Sequence, residues 1–245
     1  DVLGSRGLGD VYKRQLLGMG GRSMNSQKII GIIWRGFPNT IELLIFSFIF
    51  ATLLGLLLTW VGLRKNRLAQ GIATVYLNLV RGTPPLLMLL LAYYGLPVLL
   101  KAIGINIDHW TRLMFGILGL SLGWSGYLAE AFRSAYLSVD TGQIEAARSV
   151  GMKDQTTFRQ IILPQAAMLA LPNIENLVVG LVKATSLVYV IGLYDMYNQA
   201  SNLSNQTAGL HQLQIFILLA LSYWGLVLVI EVLFRLIRRR YQWLA

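Results

Sequence analysis

From Leu43 to Leu63 the chain runs through 21 residues without a single charge. A helix rising about 1.5 Å per residue needs about 20 apolar residues to cross a hydrocarbon core of about 30 Å. In lipid no water is present to satisfy exposed backbone groups, so such a run crosses as a helix and little else. Gly82–Leu100 and Gln212–Ile230 are uncharged in the same way. Charged residues make up only 13% of the whole, against about 25% in soluble domains. The expectation is an all-α polytopic membrane protein with five transmembrane helices.

The first span follows Pro38-Asn39-Thr40, where Thr or Asn is placed to cap the helix start. Glu42 stands at its mouth, either as a solvated interfacial carboxylate or as a group facing a path. The second span runs roughly from Pro84 to Leu100, with a bend at its prolines and a further bend, or its end, at Pro97. The third covers Leu113 to Arg133. Its Gly119-x-x-x-Gly123 offers a small-residue face, for a dimer or for close packing within the subunit. The fourth covers Gln165 to Leu193 and holds Glu175 and Lys183. Charges at membrane depth are costly and by default face a path or a partner. These two share a face but lie about 12 Å apart along the axis, too far for a direct bond. Asp195 to His211 reads as a polar loop, and the fifth span covers Gln212 to Phe234.

Five spans place alternate loops on opposite sides. Twelve Lys and Arg fall on the side of the 64–81 loop, the loop after the third span and the C-terminal tail, against two on the other. Basic loops stay in the cytoplasm, so the C-terminus is expected inside. The six basic residues of the N-terminal segment dissent. Residues 1–15 have no apolar stretch of the signal-peptide kind. The segment 1–23 is expected to be partly non-native, with the natural start near Met19 or Met24.

Between the third and fourth spans lies a polar island. Asp140 with Gln143 reads as a capping box for a short helix over Ile144–Val150. Gly151 is placed to end it with a positive φ. Asp154 is placed to cap a second short helix that Pro164 closes or redirects. The two make an elbow suited to a groove on a partner.

The island carries Glu145-Ala146-Ala147, then Gly151, then Ile161, then Leu163-Pro164. That pattern resembles the cytoplasmic EAA loop of the membrane subunits of binding-protein-dependent ABC importers. The resemblance extends over about Gly36–Arg240. Tyr76-Leu77-Asn78-Leu79-Val80-Arg81-Gly82-Thr83-Pro84, Gly126-Tyr127-Leu128-Ala129-Glu130 and Leu181-Val182-Lys183-Ala184-Thr185-Ser186-Leu187-Val188 are similar to runs in its polar-amino-acid branch. An Asp common after the Lys is Ala184 here. The resemblance implies one permease domain, 36–240, in a bacterial inner membrane, with a coupling loop at 138–164. It implies as partners separate ABC ATPase subunits, an extracytoplasmic solute-binding protein, and a second permease copy or a homologous permease. Glu145, Ala146, Ala147, Gly151, Ile161, Leu163 and Pro164 would then couple to the ATPase, while Glu42, Glu175 and Lys183 are candidates for the path.

The chemistry excluded is as informative. The chain has no cysteine, which removes disulfides, zinc-thiolate sites and thiol catalysis. With two histidines, no metal site is expected. No G-x-x-x-x-G-K-[ST] occurs, so ATP and Mg belong to a partner and this chain binds no cofactor. No catalytic motif appears either. A net charge of +10 fits basic loops facing anionic lipid better than nucleic acid. Two alternatives stand beside the importer of polar amino acids: a self-contained channel or secondary carrier, and an importer of opines or other small zwitterions.

Overall fold

A computed structural model of the protein describes residues 24–64 and 66–241. The expectation placed on residues 1–23 lies outside them. Helix α1 (Ser26–Ile33) is capped by the Asn25 side chain, which accepts from the Gln27 N–H at 3.3 Å. A 3₁₀ turn, Trp34–Gly36, leads straight into α2 (Phe37–Gly62), so the first apolar stretch is one helical piece of 37 residues. The expected cap at Asn39 or Thr40 is therefore not made, because the residues before them are already helical. Asn39 Nδ2 instead donates to the Tyr194 carbonyl at 2.8 Å. Thr40 Oγ1 donates to the Gly36 carbonyl at 3.1 Å and accepts the Met196 N–H at 3.2 Å.

Asn66 caps α3 (Arg67–Gly82), accepting from the N–H groups of Leu68 and Ala69 at 3.0 and 3.2 Å. The next apolar helix is built of α4 (Pro85–Leu90), a wide π turn over Leu91–Gly95, and α5 (Leu96–Ala102). Pro97 does not end it, since the helix continues to Ala102. In a regular α-helix the proline ring would clash with the carbonyl four residues back. Here the Leu96 N–H bonds to the carbonyl of Leu91, five back, and this wider turn makes room.

Helix α6 (Arg112–Leu137), capped by Thr111, is the centre of the fold. It packs along α2 and also meets α4. Thirteen of its residues are buried, and small residues set how closely its neighbours approach. A Cβ on Gly119 would lie 2.9 Å from the Leu89 Cα, and one on Gly126 would lie 3.1 Å from the Arg81 Cγ. Of the two readings of the glycine face, close packing within the subunit is the one observed.

After α6 come α7 (Thr141–Ser149) and α8 (Asp154–Thr157), the latter opening a continuous helical stretch. A π turn at Phe158–Ile162 joins α8 to α9 (Leu163–Thr185), and a 3₁₀ segment extends it to Ile191. Pro164 thus closes nothing. The Leu163 N–H bonds five back to Phe158, the same accommodation that precedes Pro97. Helix α9 packs on α6 and on α11 (Gln212–Tyr241).

The stretch expected as a polar loop, 195–211, is mostly helix: α10 (Met196–Gln206) buries Met196, Ala200, Leu203 and Ser204. Its apolar face and Ile29, Ile33, Ile215 and Leu219 of α1 and α11 form a second core. The main core gathers Leu43, Leu120, Leu128, Leu181 and Val188 from α2, α6 and the α9 stretch.

Four helical stretches among the described residues are long and apolar enough to cross a membrane: Ser26–Gly62, Pro85–Ala102, Asp154–Ile191 and Gln212–Arg240. Helix α6, at 26 residues, has the length but not the composition. Half of its residues are buried against neighbouring helices, and it carries glycines, serines and charges among its apolar residues.

Candidate coupling site and polar membrane face

Asp140 begins the polar island, its Oδ1 accepting the Gly142 N–H at 3.0 Å. The expected capping box does not close. The Gln143 side chain turns away and accepts from Gln165 Nε2 at 2.6 Å, tying α7 to the start of α9. Helix α7 ends in a full Schellman motif. The Gly151 N–H bonds to the Arg148 carbonyl at 3.0 Å and the Met152 N–H to the Ala147 carbonyl at 3.0 Å. Gly151 has φ +80°, a backbone state that costs residues with a Cβ about 1–2 kcal/mol. The motif requires the left-handed residue four positions after the carbonyl that closes the helix. Ala147 and Gly151 have that spacing, so the gap between E-A-A and its glycine has a geometric cause.

Ala147 is buried while Glu145 and Ala146 are exposed. Glu145 makes no side-chain bond among the described residues, neither to a basic group nor to a backbone amine. Val150 beside it is 77% exposed. The expected cap at Asp154 is displaced by one residue: Lys153 occupies the cap position without a side-chain bond. Asp154 accepts instead from Arg148 Nε at 3.2 Å, pinning α7 to α8 across the glycine. Ile161 is half-buried, and Leu163 is exposed one residue before Pro164.

Two of the runs noted separately in the sequence meet beside α6. Glu130 accepts from Arg133 Nη2 at 2.6 Å and Nε at 3.0 Å, and Arg81 Nη1 stands 3.9 Å away. The Tyr127 hydroxyl donates to the Arg81 carbonyl at 3.3 Å.

Of the three path candidates, Glu42 is exposed near the start of α2 and is not brought to the others. Glu175 and Lys183 lie on the side of α9 that meets α11. Glu175 pairs with Arg238, a partner sequence spacing gave no means of choosing. Lys183 lines a cavity of about 600 Å³ together with Glu231, Tyr197, Tyr223 and Trp224. Sequence reasoning missed Glu231, although it is the first charge after the uncharged run of the last span.

It also missed Asp195, which is fully buried. Asp195 caps α10, its Oδ2 and Oδ1 accepting the N–H groups of Tyr197 and Asn198 at 3.2 and 2.9 Å. The Tyr223 hydroxyl donates to Oδ2 at 3.2 Å. Burial pushes this carboxyl up to about 6, and those hydrogen bonds offset only part of the effect. No group of three or more His, Cys, Asp or Glu is placed to hold a metal among the described residues.

Long apolar helices packed on a small-residue centre, with a polar elbow outside them, define a multi-pass helical membrane protein. Residues 51–243 match the family described as binding-protein-dependent transport system inner membrane component, and the chain belongs to that family. It is 37% identical over 205 residues to the probable amino-acid permease protein YxeN of Bacillus subtilis strain 168, covering 84% of this chain and 89% of that one. It is 34% identical over 203 residues to the L-cystine transport system permease protein TcyL of the same organism, covering 83% and 84%. A solved structure described as an amino acid ABC transporter with histidines superposes with a TM-score of 0.76 at 29% identity, covering 89% of this chain and all of that one. The protein is thus a permease subunit of an ABC importer, the part that forms the translocation path. The alternative of a self-contained channel or carrier gives way to it.

Proposed function

We propose that this permease carries amino acids and is driven by a separate ATPase that seats on α7. The observation that carries the coupling half is the build of residues 140–165. A short helix with Glu145, Ala146 and Val150 turned outward is closed by a Schellman turn, then bound by Arg148–Asp154 and Gln143–Gln165 to a helical stretch of 38 residues. A push on α7 reaches the membrane through α8 and α9 with only Val150, Gly151, Met152 and Lys153 intervening. The amino-acid half is supported by the amino-acid permeases and amino-acid transporter to which the chain is similar.

In this reading α6 is a fifth crossing, shielded from lipid by its neighbours, and the EAA elbow and C-terminus are cytoplasmic. The chain works beside a second permease copy or a homologous one and receives solute from an extracytoplasmic binding protein. ATP and Mg are held by the ATPase, whose closure biases the permease between inward and outward access. No bond is made or broken in this chain.

The reconstituted complex tests the coupling. A Cβ at Gly151 meets nothing within 4 Å, so Gly151→Val acts through φ alone, at about 1–2 kcal/mol local to the elbow. Uptake of labelled amino acids is expected to fall while the spans stay inserted and the ATPase keeps a basal, unstimulated rate. Normal uptake with normal stimulation would sink the mechanism.

A further inference from the structure

An apolar groove of about 670 Å³ opens between the end of α2, the end of α6 and the start of α9. Alanines make the room. Ala135 and Ala170 are buried at its floor, with Trp60, Phe132 and Tyr136 around them. On the elbow side Tyr136 meets Phe158 of the π turn, their ring centroids 6.4 Å apart. The groove takes Ala166, Ala170 and Ile174 from α9. At about 100° per residue these face roughly opposite to Val179 and Lys183, which line the cavity against α11. The two spaces are therefore separate.

Depth and charge together define what fills it. On α2 the lining runs from Leu56 to Arg64, along the last turns of the uncharged stretch Leu43–Leu63. Its mouth thus falls where that stretch leaves the hydrocarbon, the level at which tryptophan and snorkelling arginine gather. Among the described residues lining the groove, Arg64 is the one that carries a charge. Its guanidinium carbon lies 3.5 Å from the centroid of the Trp60 ring, and it takes part in no ion pair among the described residues. A guanidinium stacked by its face keeps its N–H edge for a phosphate. The Thr59 hydroxyl is already spent on the carbonyls of Gly55 and Ala129, each at 2.9 Å. A ligand with a long apolar body and one negative end matches this lining. We propose that the groove binds an anionic phospholipid, with an acyl chain over Ala135 and Ala170 and the phosphate on Arg64. A zwitterionic headgroup brings its own cation beside the phosphate and is held less well. The site is independent of the solute carried.

The test is photolabelling of the detergent-solubilised complex with phosphatidylglycerol that carries a diazirine at the end of one chain, the labelled peptides being mapped by mass spectrometry. Labelling is expected in 56–63 and 166–174. Unlabelled phosphatidylglycerol should compete at a concentration at least about tenfold lower than phosphatidylcholine with the same tails, the size expected for a charged hydrogen-bond partner. Glycerol 3-phosphate, a phosphate without tails, should not compete. Arg64→Gln should bring the two lipids to within about twofold of each other. Ala167 is exposed and lines the groove, so Ala167→Trp should fill it and abolish labelling while the complex elutes as wild type. The competition between lipids needs no variant. Equal competition by the two lipids would overturn the site, as would competition by glycerol 3-phosphate. Labelling confined to other segments, or unchanged in both variants, would overturn it as well.

Discussion

The elbow after α6 and the connection after α9 are built from the same local parts. Each has a glycine with positive φ, Gly151 at +80° and Gly192 at +74°. Each has a short helix capped by an aspartate, Asp140 for α7 and Asp195 for α10. Their surroundings differ. Asp140 is exposed and α7 buries only Ala147, whereas Asp195 is fully buried and α10 buries four residues. Around the second connection Thr40, Asn39 and Tyr223 supply hydrogen bonds from two other helices. The same residue type at the cap begins a projecting element in one place and a fastened plug in the other, and tertiary contacts account for the difference.

The sharpest test of that difference is at Gly36. A Cβ there would run into the backbone of Asp195 and Met196, and main chain cannot step aside. Gly36→Val is expected to cost more than about 3 kcal/mol and to remove the monodisperse peak in size-exclusion chromatography. A well-folded Gly36→Val protein would show that the plug is loosely held.

Next in size is the pH response of the plug. Burial raises the Asp195 carboxyl from its ordinary 3.8 to about 6, so between those values the folded state holds a proton that the unfolded chain has released. Stability therefore falls as pH rises through that window, by about 3 kcal/mol in total, and levels off above it. Thermal melting in detergent should show the slope, and Asp195→Asn should flatten it. A wild-type melting temperature that climbs between pH 4 and 6 would contradict the burial of this acid.

Smaller still are the caps themselves. Asp195→Ala leaves two part-buried N–H groups and a tyrosine hydroxyl without this acceptor, costing about 2 kcal/mol. Asp140→Ala exposes its freed N–H to water and should cost no more than about 1 kcal/mol. Equal shifts in melting temperature would erase the contrast between the two connections.

The elbow was largely legible in advance because its chemistry is local. Ala147 and Gly151 stand at the spacing a Schellman turn needs, and Asp140 stands where a cap belongs. The errors there were also local in origin. Gln143 and Asp154 have good partners in space, Gln165 and Arg148, and those partners outbid the backbone groups that proximity in sequence suggested. Pro97 and Pro164 read as breaks because a proline removes an α-helical bond, yet a single wide turn before each keeps the helix going.

The chain's hydropathy alone determined that it is helical and membrane-embedded, since lipid leaves backbone polar groups no other partner. Local residue chemistry alone marked where α7 ends at Gly151, since a helix end is a matter of a few consecutive residues. The tertiary structure decided the rest. It showed α6 as a centre wrapped by protein, α10 as a buried plug rather than a polar loop, and Arg238 and Glu231 as the neighbours of Glu175 and Lys183. Those outcomes depend on which helices lie side by side and in what register, and residues dozens of positions apart carry no local mark of that.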